Sequence, residues 1–117
     1  PIVLAVRYKF LSHVEVEGDL EEVHEGSSQN IGTGGLMLRA RVPDPAWLQH
    51  LLTRTMYVGV NILLPNQGEA LKALCRVAWA SAMEEGNHIV FGLSFQEITQ
   101  ESRDMITQYI IRSQMPA

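Results

Sequence analysis

Cysteine is nearly absent. Cys75 stands alone, which excludes an internal disulfide and leaves the redox compartment open, with a lean to the cytoplasm. No apolar run approaches the roughly 20 residues of a membrane-spanning helix, and no basic-then-apolar leader opens the chain. The four histidines, His13, His24, His50 and His88, lack the spacing of a zinc site. No Gly-Lys-Ser or Gly-Lys-Thr follows the glycine-rich stretch, and no Gly-x-Gly-x-x-Gly opens a long helix, so the nucleotide loops of those two kinds are excluded and no cofactor motif is present. Basic residues are in the minority, 9 against 13 acidic for a net charge of −4. Such a surface has no general attraction for DNA or RNA, although a local cluster of cations can still hold a small phosphate ligand. The segment from Ser12 to Gly26 contains no Lys or Arg but carries Glu15, Glu17, Asp19, Glu21, Glu22 and Glu25. It reads as a solvated loop or hairpin. Carboxylates in so hydrophilic a stretch do not meet the need of general acid catalysis for a carboxyl held in a shaped cleft, so the residues do not point to an enzyme.

What is present describes one ordinary globular domain over 1–117, 46% apolar and 19% charged, long enough to bury a core without disulfides or metal. A first residue of Pro1 rather than Met leads to the expectation of a piece of a longer chain. Leu4, Val6, Tyr8 and Phe10 alternate with Ala5, Arg7 and Lys9, the pattern of a half-buried strand. Alternation continues more weakly through Ser12–Glu17, so this strand either runs on or folds back as a ribbon. Leu36, Leu38, Ala40 and Val42 face inward in a second clear strand, with Arg39 and Arg41 outward, until Pro43-Asp44-Pro45 stops it. Asp44 can cap and Pro45 can open a short helix over 46–52, whose Trp47, Leu48, Leu51 and Leu52 share a face able to cover a barrel end. Tyr57–Leu64 is the next strand, closed by the turn Pro65–Gly68. Even spacing of Leu71, Ala73, Cys75, Val77 and Trp79 favours strand over helix for 70–80, and Glu84–Asn87 turns it into a strand from His88 to Phe95. At Thr99 the period changes: Thr99 caps a helix whose Met105, Ile106, Tyr109 and Ile110 form one stripe. Ile111 and Met115 add enough apolar content for a homodimer or domain contact through this helix.

The stretch Asn30-Ile31-Gly32-Thr33-Gly34-Gly35 is the densest concentration of turn chemistry in the chain. Glycine admits positive φ and the close approach of backbone or ligand, so the stretch is either a shaped ligand-facing turn or simply the start of the following strand. Arg7, Arg39, Arg41 and Arg76 fall in predicted strands; any two on the outer face could form an anion patch, and each read singly is a solvated strand residue.

This turn, its place in the chain and the strands after it resemble the PilZ domain family, a small barrel that bacteria use as a receptor for cyclic di-GMP. The family's turn reads Asp or Asn, any residue, Ser, two more residues, then Gly; here Asn30, Gly32 and Gly35 occupy the three positions. Arg76-Val77-Ala78-Trp79 and Gly92-Leu93-Ser94-Phe95 resemble later barrel strands of the family, and the helix after Thr99 has its usual place. The resemblance covers nearly the whole chain and implies a mainly β fold, a six-stranded antiparallel barrel with a short helix near 45–53 and a C-terminal helix near 99–114. It implies that Asn30 contacts a guanine edge and that Gly35 closes the turn. Two departures accompany it. Gly32 replaces the family's serine, and the family's pair of arginines three residues apart, just upstream of the first strand, is not in this sequence: either it lies in a missing segment or this member does not bind the nucleotide through it; Arg7 lies beyond that position and does not inherit its role.

Two functions follow. The first is a cytoplasmic regulatory receptor that binds cyclic di-GMP through Asn30, Gly32 and Gly35, with Arg7, Arg39 and Arg76 as candidate phosphate ligands, and signals to a partner protein or attached domain. The second is a degenerate member that binds no nucleotide and serves as a protein-interaction module.

Overall fold

The computed structural model describes residues 3–65 and 67–115. Six strands, β1 (Leu4–Ser12), β2 (His24–Ile31), β3 (Gly35–Arg41), β4 (Met56–Ile62), β5 (Leu71–Ala80) and β6 (His88–Ile98), close a barrel in the order β1-β2-β3-β6-β5-β4. Every neighbouring pair is antiparallel. Among the described residues, two α-helices, α1 (Trp47–Leu52) and α2 (Gln100–Gln114), and a single 3-10 turn over Glu85–Asn87 between β5 and β6 complete the fold. The mainly β, six-stranded barrel with a short and a C-terminal helix is as expected.

The core is the set of inward residues that alternation selects. Leu4, Val6, Tyr8 and Phe10 from β1, Leu36, Leu38 and Ala40 from β3, the even positions of β4 from Met56 to Ile62, and Leu71, Ala73, Cys75 and Val77 from β5 are all buried. Ile89, Phe91 and Leu93 complete the interior from β6. Tyr8 reaches far enough inside the barrel for its hydroxyl to accept the Arg41 N–H at 2.8 Å and lie 3.1 Å from the Arg41 carbonyl. Burial pushes the Tyr8 phenol's pKa up, against the bond from Arg41.

The acidic segment corrects one expectation. Residues 13–17 do not extend β1; the sixth strand is β2, later in the chain, and it lacks an apolar stripe. Its inward positions are His24, Gly26 and Ser28. A Cβ on Gly26 would fall 3.0 Å from the Tyr8 ring and 3.1 Å from Leu38, so the large residues of the flanking strands already fill the space that an apolar residue of β2 would take. His24 stacks on Tyr8 with centroids 5.2 Å apart. Pairing on both sides, rather than its own pattern, makes β2 a strand.

The Asp44 carboxylate accepts the Ala46 N–H at 2.9 Å just ahead of α1. Trp47 and Leu51 are buried under the barrel end and Leu48 is half-buried, whereas Leu52 turns out to solvent. The indole Nε1 of Trp47 donates to the Glu17 carbonyl at 2.8 Å, which pins the acidic connection across that end. Thr99 caps α2 by accepting the Ser102 N–H at 3.1 Å. Only Ile106 of α2 is fully buried; Met105, Tyr109 and Ile110 lie partly against the core and Ile111 and Met115 are exposed. No helix among the described residues is long and apolar enough to cross a membrane.

Candidate functional site

β2 and β3 fall out of register between Ser27 and Asn30, a bulge in the middle of the pair. Ser28, the buried polar residue of the core, fills it: its hydroxyl donates to the Asn30 carbonyl at 3.1 Å and accepts the Asn30 N–H at 3.3 Å. The side chain of Asn30 is thereby turned to the outer face, with Nδ2 3.7 Å from the Met37 sulfur. Asn30 and Ile31 therefore end a strand, and the turn itself is Gly32-Thr33-Gly34.

That turn is held at each residue. Gly32 N–H donates to the Gly35 carbonyl at 2.8 Å and Phe95 N–H to the Gly34 carbonyl at 2.9 Å. The guanidinium of Arg103, in the first turns of α2, donates to the Thr33 carbonyl. Gly35 sits so close to β6 that a Cβ there would meet the Leu93 carbonyl oxygen at 1.9 Å. Gly32 is different: its nearest neighbour would be 4.0 Å away, so packing does not demand a glycine.

The adjoining strands corrected a second expectation and revealed what the residues alone had hidden. The even spacing of Leu71, Ala73, Cys75, Val77 and Trp79 puts all five on one face of an unbroken strand. A register shift between Val77 and Trp79 puts Trp79 outside, 47% exposed, with its indole laid across Gly92. A Cβ on Gly92 would stand 2.0 Å from Trp79 Nε1, so that platform requires glycine beneath it. Asn30, Met37, Gly92 and Trp79 pair in succession across β2, β3, β6 and β5, forming one row on the outer wall.

Two adjoining hollows meet at Asn30 and Met37. One, about 280 Å³, runs past Gly34 and Gly35 to Trp79 and Ser94. The other, about 350 Å³, is bounded by Ser27, Gln29, Arg39 and Val90. Arg39 thus shares a hollow with Asn30, and Arg76 pairs with Ser94, which pairs with Gly35, so it flanks the first hollow. Among the described residues neither arginine has an acidic partner. Arg7 is not brought to this place: it pairs with Glu25 and Asn61 and lines a separate groove over β1, β4 and β5. Of the residues expected at a site, then, Asn30, Gly35 and Arg39 line these two hollows, Gly32 sits in the adjoining turn bonded to Gly35, Arg76 adjoins, and Arg7 stands apart.

An exposed indole, a thioether, an amide and two guanidinium groups on one wall can stack on a planar base, bond its edge and pair with phosphate. The Cys75 thiol takes no part: it is buried, and burial pushes its pKa up to about 12. No cluster of three or more His, Cys, Asp or Glu is placed to hold a metal among the described residues. The residues missed by pattern reading are Ser28, Met37, Trp79 and Gly92. A signal for the last two was present in the glycine between Phe91 and Leu93, because a lone glycine inside a strand marks a bulge or a close approach.

Comparison with curated proteins gives no match. Among solved structures, the Bacillus subtilis inhibitor of motility, MotI/DgrA, superposes with a TM-score of 0.64 at 18% identity, over 97% of this chain and 47% of that protein. The chain thus spans just under half the length of the protein whose fold it shares. The family model for the PilZ domain matches residues 4–112. Because that match spans nearly the whole chain, the chain belongs to the PilZ domain family.

Proposed function

We propose that this domain is a cytoplasmic receptor for cyclic di-GMP, and that the nucleotide lies on the outer wall between the glycine turn and Trp79. PilZ domains are regulatory binding domains and generally receptors for this nucleotide. The observation that carries the reading to this chain is the row Asn30–Met37–Gly92–Trp79, in which an outward amide and an uncovered indole stand on one face beside the turn. In this reading Asn30 bonds a guanine edge, Trp79 stacks on a base, and Arg39 and Arg76 face the phosphates.

β1 begins at Leu4, which pairs with Ser28, two residues before Asn30. A segment preceding β1 would therefore reach the site directly and supply the family's arginine pair. Binding does no chemistry; it orders that segment and shifts the population of surfaces offered to a partner protein or attached domain. The turn is bonded to α2 through Arg103 and Thr33, and α2 exposes Ile111, with Met115 exposed just past its end, a surface for such a partner or for a second copy.

Calorimetric titration of cyclic di-GMP into this chain and into one extended by about 15 native N-terminal residues, a reach of roughly 50 Å, tests the reading. Micromolar binding by the extended form, weakened by about 1–3 kcal/mol in Asn30→Ala, is expected. No heat in either folded protein overturns it and favours the second reading, a PilZ domain that acts only as an interaction module. Gly32, which lacks the family's hydroxyl, is the observation on that side.

A further inference from the structure

We propose that the outer face of β1, β4 and β5 is a second docking surface, separate from the nucleotide wall, and that it takes an acidic segment of a partner protein anchored by an apolar side chain. The registers place two rows side by side there. Arg7, Asn61 and Lys72 form one; Lys9, Gly59, Leu74 and Glu97 form the other. Gly59 leaves a gap between Lys9 and Leu74, and the resulting groove encloses about 580 Å³ with apolar walls that include Leu11 and Val23, 41% and 58% exposed. Exposed apolar surface rimmed by polar groups is the mark of an interaction site rather than of a solvated wall.

Charge selects the occupant. The lining residues include three cations, Arg7, Lys9 and Lys72, against one acid, Glu97, in a chain of net charge −4. Both ion pairs among the described residues join this face to acids of the same chain: Lys9 to Glu21 of the β1–β2 connection at 3.1 Å, and Arg7 to Glu25 of β2 at 3.8 Å. Glu21 and Glu25 are more than 80% exposed, so these are solvent-screened pairs that an incoming carboxylate can replace. Lys72 has no acidic partner among the described residues. The face therefore already selects carboxylates from its own chain, and leaves one cation for a carboxylate from another.

A nucleic acid does not fit the same face. The groove is walled mainly by apolar surface around Gly59, and a phosphate backbone, charged at every unit, brings no aliphatic side chain to fill it. A short peptide can set acidic side chains on the cations and one apolar side chain over Gly59. Gly59 does not have to be glycine: its added Cβ would meet Leu11 Cδ1 at 3.4 Å, an ordinary contact, and the next atom is 3.9 Å away.

The test is a titration of the 15N-labelled domain with a peptide of about eight residues alternating Glu and Leu, which spans ~25 Å as a strand. Controls are the matching Lys–Leu peptide and a single-stranded oligonucleotide of similar length. Amide shifts gathered at Lys9, Gly59, Asn61, Lys72 and Leu74 are expected for the acidic peptide alone. Gly59→Leu, which fills the gap and keeps every charge, should abolish them; the Lys9→Glu, Lys72→Glu double variant should weaken binding by about tenfold or more. Five results overturn the proposal: no shifts in this group, equal binding by Gly59→Leu, equal binding by the double variant, equal binding of the Lys–Leu peptide, or equal binding of the oligonucleotide. The double variant changes only surface residues, so it decides the matter even where Gly59→Leu fails to fold.

Discussion

β1 and β2 lie side by side in the same barrel and could hardly be written more differently. β1 alternates four large buried residues with the outward Ala5, Arg7, Lys9 and Leu11; β2 puts a histidine, a glycine and a serine inside. The first strand stabilises itself by burial, and the second is held by what its neighbours provide: ladder bonds on both edges and a cavity already filled by Tyr8 and Leu38. β2 is also the strand that carries Asn30. Local rules give way where a side chain has to be aimed outward from a bulge, and the rest of the fold makes up the loss.

The comparison breaks most visibly at Phe10. This ring is 1% exposed and packs edge-on against Tyr8 and Trp47, with centroids 5.6 and 5.4 Å away. Phe10→Ala should cost about 3–5 kcal/mol in chemical denaturation, whereas no side chain of β2 should cost as much. A Phe10→Ala protein within about 1 kcal/mol of the parent would mean that β1 is not the stronger of the two.

The core also has a pH signature. In the folded chain the Cys75 pKa is raised from 9.0 to about 12 by burial, and that of Tyr8 is raised above 10.0 for the same leading reason. Between pH 9.0 and about 12 the folded state therefore keeps a proton that the unfolded chain releases. Stability is undiminished by this group below pH 9.0 and falls as pH rises through the window, with a slope approaching about 1.4 kcal/mol per pH unit for each such group. Denaturation midpoints measured across that range should decline, and Cys75→Val, which keeps the volume and removes the thiol, should flatten the decline without abolishing the part due to Tyr8. An unchanged slope in the variant would assign the loss to other groups.

On β2 the expected sensitivity is smaller and of another kind. Ser28→Ala removes both bonds that hold Asn30 at the bulge. The stability loss should be about 1–2 kcal/mol, but binding of cyclic di-GMP should weaken as well, although Ser28 is buried and touches no ligand. Calorimetry on a folded Ser28→Ala protein separates the two effects; parental affinity would show that the bulge does not aim Asn30.

Most of the barrel was legible in the sequence because alternation is what burial on one face of a strand requires, and β1, β3, β4 and most of β5 and β6 obey it. The cap at Thr99 and the stripe through Ile106 were legible for the corresponding helical reason. β2 was not, since its inward residues are small or polar and the reason lies in residues distant along the chain. Trp79 was misread because alternation assumes an unbroken register, and one shift after Val77 moves an aromatic from the core to the surface. At the candidate site, the turn stood out by its glycines and its resemblance to the family's motif, and Arg39 by its outward place in a strand; Ser28 and Gly92 did not, because what matters about them is the neighbour each one accommodates.

The finest test concerns the residue on which the two functional readings divide. Gly35 and Gly92 are glycines by steric demand, with backbone or ring at 1.9 and 2.0 Å from any added Cβ, whereas Gly32 has open space to 4.0 Å. Gly32→Ser should therefore leave stability within about 0.5 kcal/mol of the parent. It restores the family's hydroxyl to the turn two residues after Asn30, and if that turn faces a guanine on the wall, one added hydrogen bond should strengthen cyclic di-GMP binding by about 0.5–1.5 kcal/mol. Calorimetry on the N-terminally extended protein reads this directly. A gain in affinity at unchanged stability means that the turn faces the nucleotide and that its glycine only weakens the contact; no gain, in a protein that binds, would place the base away from Gly32 and leave the turn the purely structural task of starting β3.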